Sequence, residues 1–173
     1  MGAKARTQSG PPSWGTISGW LISGHPSPST ARKEWDSAAG LAMIPLGHAF
    51  DAVRIPAGIV HAATGSTDPS VVEARLAQYL DDGPVIHDPG FARYYALVPP
   101  GTADEWPSPV VECLGEGTYL GVPRVDRIDL DEEAPASYWS VVIPRPGVLC
   151  KAADVVALVM AGGCRSVDED DES

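Results

Sequence analysis

The spacing of apolar residues changes several times along the chain, and each change marks a predicted helix or strand. The strongest helix signal is Asp68 followed by Pro69, an N-cap carboxylate with proline at the first helical position. An amphipathic stripe of apolar residues continues from there to Leu80. Weaker signals of the same kind predict three more helices, near residues 31–39, 56–64 and 152–161.

Short apolar runs bounded by glycine, proline or aspartate predict strands between these helices. The two runs around Asp88, Pro89 and Gly90 predict a hairpin. Residues 16–23 are short and apolar, and we expect an edge strand or a docking arm there. The other predicted strands are 41–46, 52–55, 84–87, 93–98, 110–114, 118–122 and 138–143.

Helices first and last, with most strands between them, predict an α+β fold with a mixed, mostly antiparallel sheet flanked by helices. The 173 residues suffice for one domain, which we place at residues 16–165. Residues 1–15 are rich in glycine, proline and serine, and we expect a disordered arm. Residues 166–173 carry an acidic run, and we expect a disordered acidic tail.

Charge and composition narrow the possible functions. The net charge is −11, and the only adjacent basic residues are Arg32 and Lys33, so we expect weak or no nucleic-acid binding. The three cysteines lack metal-site spacing, which argues against a zinc site. No apolar run approaches the roughly 20 residues of a membrane span, and the chain is predicted to be cytoplasmic. Abundant alanine, glycine and proline, with arginine exceeding lysine, are typical of a GC-rich bacterial gene.

One stretch carries a family resemblance. Residues 110–144 read VVECLGEGTYLGVPRVDRIDLDEEAPASYWSVVIP, and residues 94–102 read YYALVPPGT. This order of acidic strand, glycine-rich turn, aromatic strand ending in proline, variable loop and Tyr-x-Trp-like strand resembles the second half of bifunctional primase–polymerase domains from bacterial mobile elements. The resemblance covers roughly residues 51–144. It implies a small sheet flanked by helices.

The same resemblance implies a degenerate active site. The family places two carboxylates on a first strand, a histidine on a middle strand and a third carboxylate later, which together hold two divalent metals. Here Asp51 stands alone because Val53 occupies the second position, the histidine position falls on Arg93 or is absent, and the later carboxylate is Glu112. We therefore expect a non-catalytic binding or regulatory module without a cofactor.

Two other functions stay open. Asp51 and Glu112 are candidate catalytic residues and metal ligands, which would bind Mg²⁺ or Mn²⁺ if the chain were a nucleotidyltransferase with an unusual site. The competing interpretation is that Asp51 caps a turn and that Glu112 faces solvent or pairs with an arginine. The third function is a small acidic module for protein–protein interaction.

Further candidates come from a histidine and from aromatic residues. His87 is a candidate for catalysis, since the carboxylate of Asp88 beside it would raise its pKa and fix its tautomer, although Asp88 can instead begin the turn. Arg93, Tyr95 and Tyr119 are candidate ligand-binding residues, because aromatic side chains on a sheet can stack on bases or else pack in the core. The expected partner is a protein or a nucleotide-like small molecule.

Overall fold

The computed structural model describes the backbone of residues 14–171 and the side chains of residues 14–164. Within this part the chain forms the predicted α+β domain, with five helices and seven strands. The helices are α1 (Trp14–Leu21), α2 (Pro28–Asp36), α3 (Ala57–Thr64), α4 (Pro69–Tyr79) and α5 (Ala152–Asp171). The strands are β1 (Leu41–Pro45), β2 (Asp51–Pro56), β3 (Val85–Asp88), β4 (Arg93–Val98), β5 (Glu112–Leu114), β6 (Tyr119–Pro123) and β7 (Tyr138–Val141). None of the described helices is both long enough and apolar enough to span a membrane.

The strands form two sheets. Five of them lie in the order β5-β2-β4-β3-β7, and β1 pairs with β6 in a separate ribbon. Every pairing in the described part is antiparallel, including the predicted β3–β4 hairpin, so the sheet is not mixed. The neighbouring strands β1 and β2 do not pair with each other, because each finds its partner further along the chain.

The five-stranded sheet is covered on both faces, which gives three layers. Since side chains alternate along a strand, successive residues of β2 enter different cores. Val53 and Ile55 pack in one core with α3, α4 and α5. Ala52 packs in a second core, to which the β1–β6 ribbon, α1 and α2 contribute. The protein therefore has two cores that share one sheet.

Residues 16–23 were predicted as an edge strand or arm, and this prediction is wrong, since Trp14–Leu21 is a helix. Ile17 and Leu21 are the buried residues of α1, and their spacing of four places both on one face of a helix. Such a short helix shows only one such pair, which is too little to establish its period from the sequence. Of the predicted N-terminal arm, residues 1–13 lie outside the described part of the chain.

The last helix is longer than predicted. It was expected to end near Ala161, but its backbone is helical as far as Asp171, into the predicted acidic tail. Residues 172–173 lie outside the described residues. The helix continues through Gly162, which was expected to end it. The lack of a side chain at Gly162 instead lets α5 approach α3 closely. A Cβ atom at this position would overlap the carbonyl oxygen of Ile59 and would lie 2.7 Å from its Cγ2 atom.

We predict that Gly162→Ala destabilises the protein, because the added methyl group forces the backbones of α3 and α5 apart. The expected loss in the free energy of unfolding is about 1–3 kcal/mol, the usual cost of overpacking. Gly163→Ala is the matched control, since outside the backbone of its own helix no described heavy atom lies within 4 Å of a Cβ atom there. It should gain about 0.5–1 kcal/mol from helix propensity. Urea unfolding of both variants checks this, and equal stabilities would show that the α3–α5 contact is misplaced.

Candidate functional site

Asp51 is the first residue of β2, and its side chain binds the backbone of a short 3₁₀ helix. Its side chain is 1% exposed, and its Oδ2 atom accepts a hydrogen bond of 2.9 Å from the backbone N–H of Ala103. Ala103 belongs to a short 3₁₀ helix, Thr102–Glu105. The Oδ1 atom has no hydrogen-bond partner among the described residues. This carboxylate therefore fixes the 3₁₀ helix against the end of the sheet.

Glu112, the second candidate metal ligand, lies on the other face of the sheet. It is opposite Arg54 in the β2–β5 register, and the two side chains form an ion pair with Nη2 and Oε2 2.6 Å apart. Arg54 is three positions from Asp51 on β2, so the side chains of Asp51 and Glu112 point to opposite faces. Among the residues whose side chains are described, no group of three or more His, Cys, Asp or Glu residues could hold a metal ion.

A cleft of about 660 Å³ lies where β2 ends and β4 begins, next to the edge strand β5, and residues from both faces of the sheet line it. Arg93 pairs with Pro56 in the β2–β4 register and lies in this cleft. Its guanidinium carbon is 5.4 Å from the centre of the Phe91 ring. A hydrogen bond with the Tyr95 side chain is the largest cause of the raised pKa of Arg93. The cleft therefore contains a cation beside an exposed aromatic ring.

The rest of the cleft combines an ion pair with apolar walls. Its lining residues are Arg54, Pro56, Phe91, Ala92, Arg93, Ala103, Trp106, Ser108, Pro109, Val110, Val111, Glu112 and Cys113. Arg93 has no ion-pair partner within 4.0 Å among the described residues, whereas Arg54 and Glu112 satisfy each other. This arrangement can bind an anionic group at Arg93 and a planar or apolar group against the walls.

The structure brings together part of the predicted ligand-binding set. Arg93 lines the cleft, and Tyr95 interacts with Arg93 without lining the cleft itself. Tyr119 lies in the other sheet and is 60% exposed. Sequence reasoning missed Arg54 and Phe91. Phe91 offered a signal, since it follows Pro89 and Gly90 in a turn and turns lie at the surface, and it is 71% exposed here.

His87 lies away from the cleft, in a polar cluster on the sheet face that α3, α4 and α5 cover. Its ring stacks on that of Tyr94, with centroids 4.1 Å apart and planes at 2°. Its Nδ1 atom lies 2.9 Å from the hydroxyl oxygen of Tyr138. That hydroxyl donates a 3.1 Å hydrogen bond to Oε1 of Glu73 on α4. His61 on α3 completes the cluster and meets Tyr94 edge to face.

The expectation that Asp88 raises the pKa of His87 is wrong. Burial, followed by the nearby His61, lowers the pKa of His87 to about 4. Adjacent strand residues point to opposite faces, so Asp88 does not lie beside the imidazole and cannot offset its desolvation. In the same cluster, burial raises the pKa of Glu73, although the hydrogen bond from Tyr138 opposes this shift. The cluster therefore disfavours charge on both groups.

Comparison with known proteins gives no match: no family model, no curated protein and no solved structure matches the chain. The α+β fold is established by the structure itself. The resemblance to primase–polymerase domains stays a prediction.

We predict that His87 makes the protein less stable in acid. The unfolded state protonates this residue near its usual pKa of 6.5, and the folded state near 4, so its contribution is complete above 6.5 and is lost as the pH falls towards 4. The loss should be on the order of 3 kcal/mol at pH 4. Urea unfolding across this pH range checks it, with His87→Gln as the variant that lacks the titration. An equally steep pH dependence in the variant would assign the effect to other groups.

Proposed function

We propose that the chain is a non-catalytic binding or regulatory module of a bacterial cytoplasmic protein, with primase–polymerase-like ancestry. The observation that carries the proposal is that the side chains of Asp51 and Glu112 point to opposite faces of the sheet. Two-metal catalysis requires carboxylates aimed at metals about 3.5–4 Å apart. Here one carboxylate is buried on the N–H of Ala103 and the other is paired with Arg54 on the opposite face. No cofactor is required for this function.

The ligand that best suits the cleft is a small nucleotide-like molecule with an anionic group. The Arg93 guanidinium can donate two parallel hydrogen bonds to a phosphate or carboxylate, and its position over Phe91 keeps it oriented. Trp106 and Val110 offer apolar surface to a planar group. A small ligand fits better than a long nucleic acid, because the chain as a whole is acidic, with a net charge of −11.

The ion pair between Arg54 and Glu112 is weak enough for a bound anion to replace Glu112. The side chains of Arg54 and Glu112 are 38% and 60% exposed, and exposed pairs contribute only about 0–1 kcal/mol. A bound anion can therefore displace Glu112 from Arg54 at little cost. That would give the ligand a second cation in the same cleft.

A second candidate is an interaction with a basic protein through the loop before β7. Five carboxylates are exposed there, at Asp126, Asp129, Asp131, Glu132 and Glu133. Among them only Asp126 has an ion-pair partner within the described chain. The concentrated negative charge would attract a basic surface. This binding would be insensitive to Arg93, which separates the two candidates experimentally.

We predict that the purified protein does not synthesise or extend primers with Mg²⁺ or Mn²⁺, because the carboxylates of Asp51 and Glu112 point to opposite faces of the sheet and cannot share a metal site. A primer-extension assay with each metal checks this. Asp51→Ala and Glu112→Ala are the informative variants. Template-dependent incorporation that disappears in both would overturn the proposal and establish the nucleotidyltransferase alternative.

We predict that adenosine triphosphate binds in the cleft and that Arg93→Ala weakens its binding about ten- to hundredfold. This corresponds to about 1.5–3 kcal/mol for hydrogen bonds to a charged group. Isothermal titration calorimetry measures the effect. Arg145→Ala is the matched control, because it removes an equal charge from an exposed position that does not line the cleft. Equal weakening by both variants would indicate a non-specific charge effect and would contradict the cleft as the site.

A further inference from the structure

Glu73, Tyr138 and His87 form a hydrogen-bonded chain that joins α4 to β7 and β3. The Tyr138 hydroxyl lies between the other two groups, 3.1 Å from Oε1 of Glu73 and 2.9 Å from Nδ1 of His87. His87 and Tyr138 are 8% and 1% exposed, and Glu73 is partly exposed at the edge of the cluster. The chain therefore runs from a half-buried carboxylate to a buried imidazole.

The number of protons fixes the direction of the hydrogen bonds. A phenol has a single proton, and when Tyr138 donates it to the Glu73 carboxylate, its oxygen can only accept from His87. His87 then has its proton on Nδ1, and Nε2 is unprotonated. A protonated Glu73 would reverse every bond, because its own O–H would donate to Tyr138 and Tyr138 would donate to Nδ1.

We propose that Glu73, Tyr138 and His87 form a proton relay in which proton uptake at His87 is neutralised at Glu73. One proton from solvent binds Nε2 of His87, the Nδ1 proton passes to the oxygen of Tyr138, and the hydroxyl proton of Tyr138 passes to Glu73. One proton is gained in total and no other bond is changed. His87 remains neutral and changes from the Nδ1–H to the Nε2–H tautomer.

The surroundings favour this end state over a cationic His87. Burial penalises charge on both the imidazole and the carboxylate. The relay removes the negative charge of Glu73 without creating a positive charge on His87. His61 on α3 opposes a positive charge on His87. Asp129 in the loop before β7 and Asp68 at the start of α4 oppose the negative charge on Glu73. Tyr94 on β4 stacks on His87 as a neutral phenol, since burial raises its pKa to about 12.

The relay is tested by following the His87 tautomer with pH. The full chain, labelled with ¹³C and ¹⁵N, is titrated from about pH 8 to about pH 4.5, near the usual pKa of glutamate. The His87 ring nitrogen and Cδ2 shifts report its tautomer, and the Glu73 carboxyl carbon shift reports its ionisation. We expect His87 to change from Nδ1–H to Nε2–H with the same midpoint as Glu73.

Three variants make the result decisive. In Glu73→Gln, the His87 tautomer should no longer change above the pKa of His87 itself. In Tyr138→Phe, Glu73 should titrate without any change of tautomer. Tyr79→Phe is the control, since Tyr79 is also on α4 but donates its hydroxyl proton to the carbonyl of Ala63, and it should behave as the parent. A single tautomer of His87 throughout the parent titration, or an unchanged transition in Glu73→Gln, would overturn the relay even if Tyr138→Phe fails to fold.

Discussion

The burial of β2 on both faces is the constraint on which the rest of the structure depends. This strand pairs with β4 on one side and β5 on the other, and Ala52, Val53 and Ile55 are at most 1% exposed. A strand covered on both faces must supply apolar side chains to two cores, which accounts for the three layers of the fold. It also leaves little room for polar side chains. The two polar residues of β2 are Asp51, at the start of the strand, and Arg54, which pairs with Glu112 on the neighbouring strand β5.

Strand alternation then decides what each polar residue can do. Asp51 and Arg54 are an odd number of positions apart on β2, so Asp51 is on the same face as Val53 and Ile55, whereas Arg54 is on the opposite face with its partner Glu112. The same rule separates His87 from Asp88 on β3. Asp88 pairs with Arg93 near the cleft, whereas His87 pairs with Tyr94 and Tyr138 beneath the helices. Residues close in sequence thus belong to two sites with different electrostatics.

These two sites use charge in opposite ways. The cleft is open, so Arg93, Arg54 and Glu112 remain solvated and can exchange partners. The cluster around His87 is desolvated, so its polar groups are neutral or share protons through hydrogen bonds. The open site suits ligand exchange, and the closed site suits the uptake of a single proton. Each proposed role follows from the access of water to that part of the sheet.

Local signals in the sequence determined the elements whose stability is itself local. Asp68 caps α4 as predicted, accepting the N–H of Ser70 at 3.0 Å, and the turn at Pro89 joins a hairpin. The sequence also singled out Arg93 as a ligand-binding candidate, and it lines the cleft. Only the tertiary structure decided that β1 pairs with β6, that Gly162 continues α5, and that Arg54 meets Glu112. These outcomes depend on which residues, distant in sequence, come into contact in the folded chain, and no local pattern encodes that.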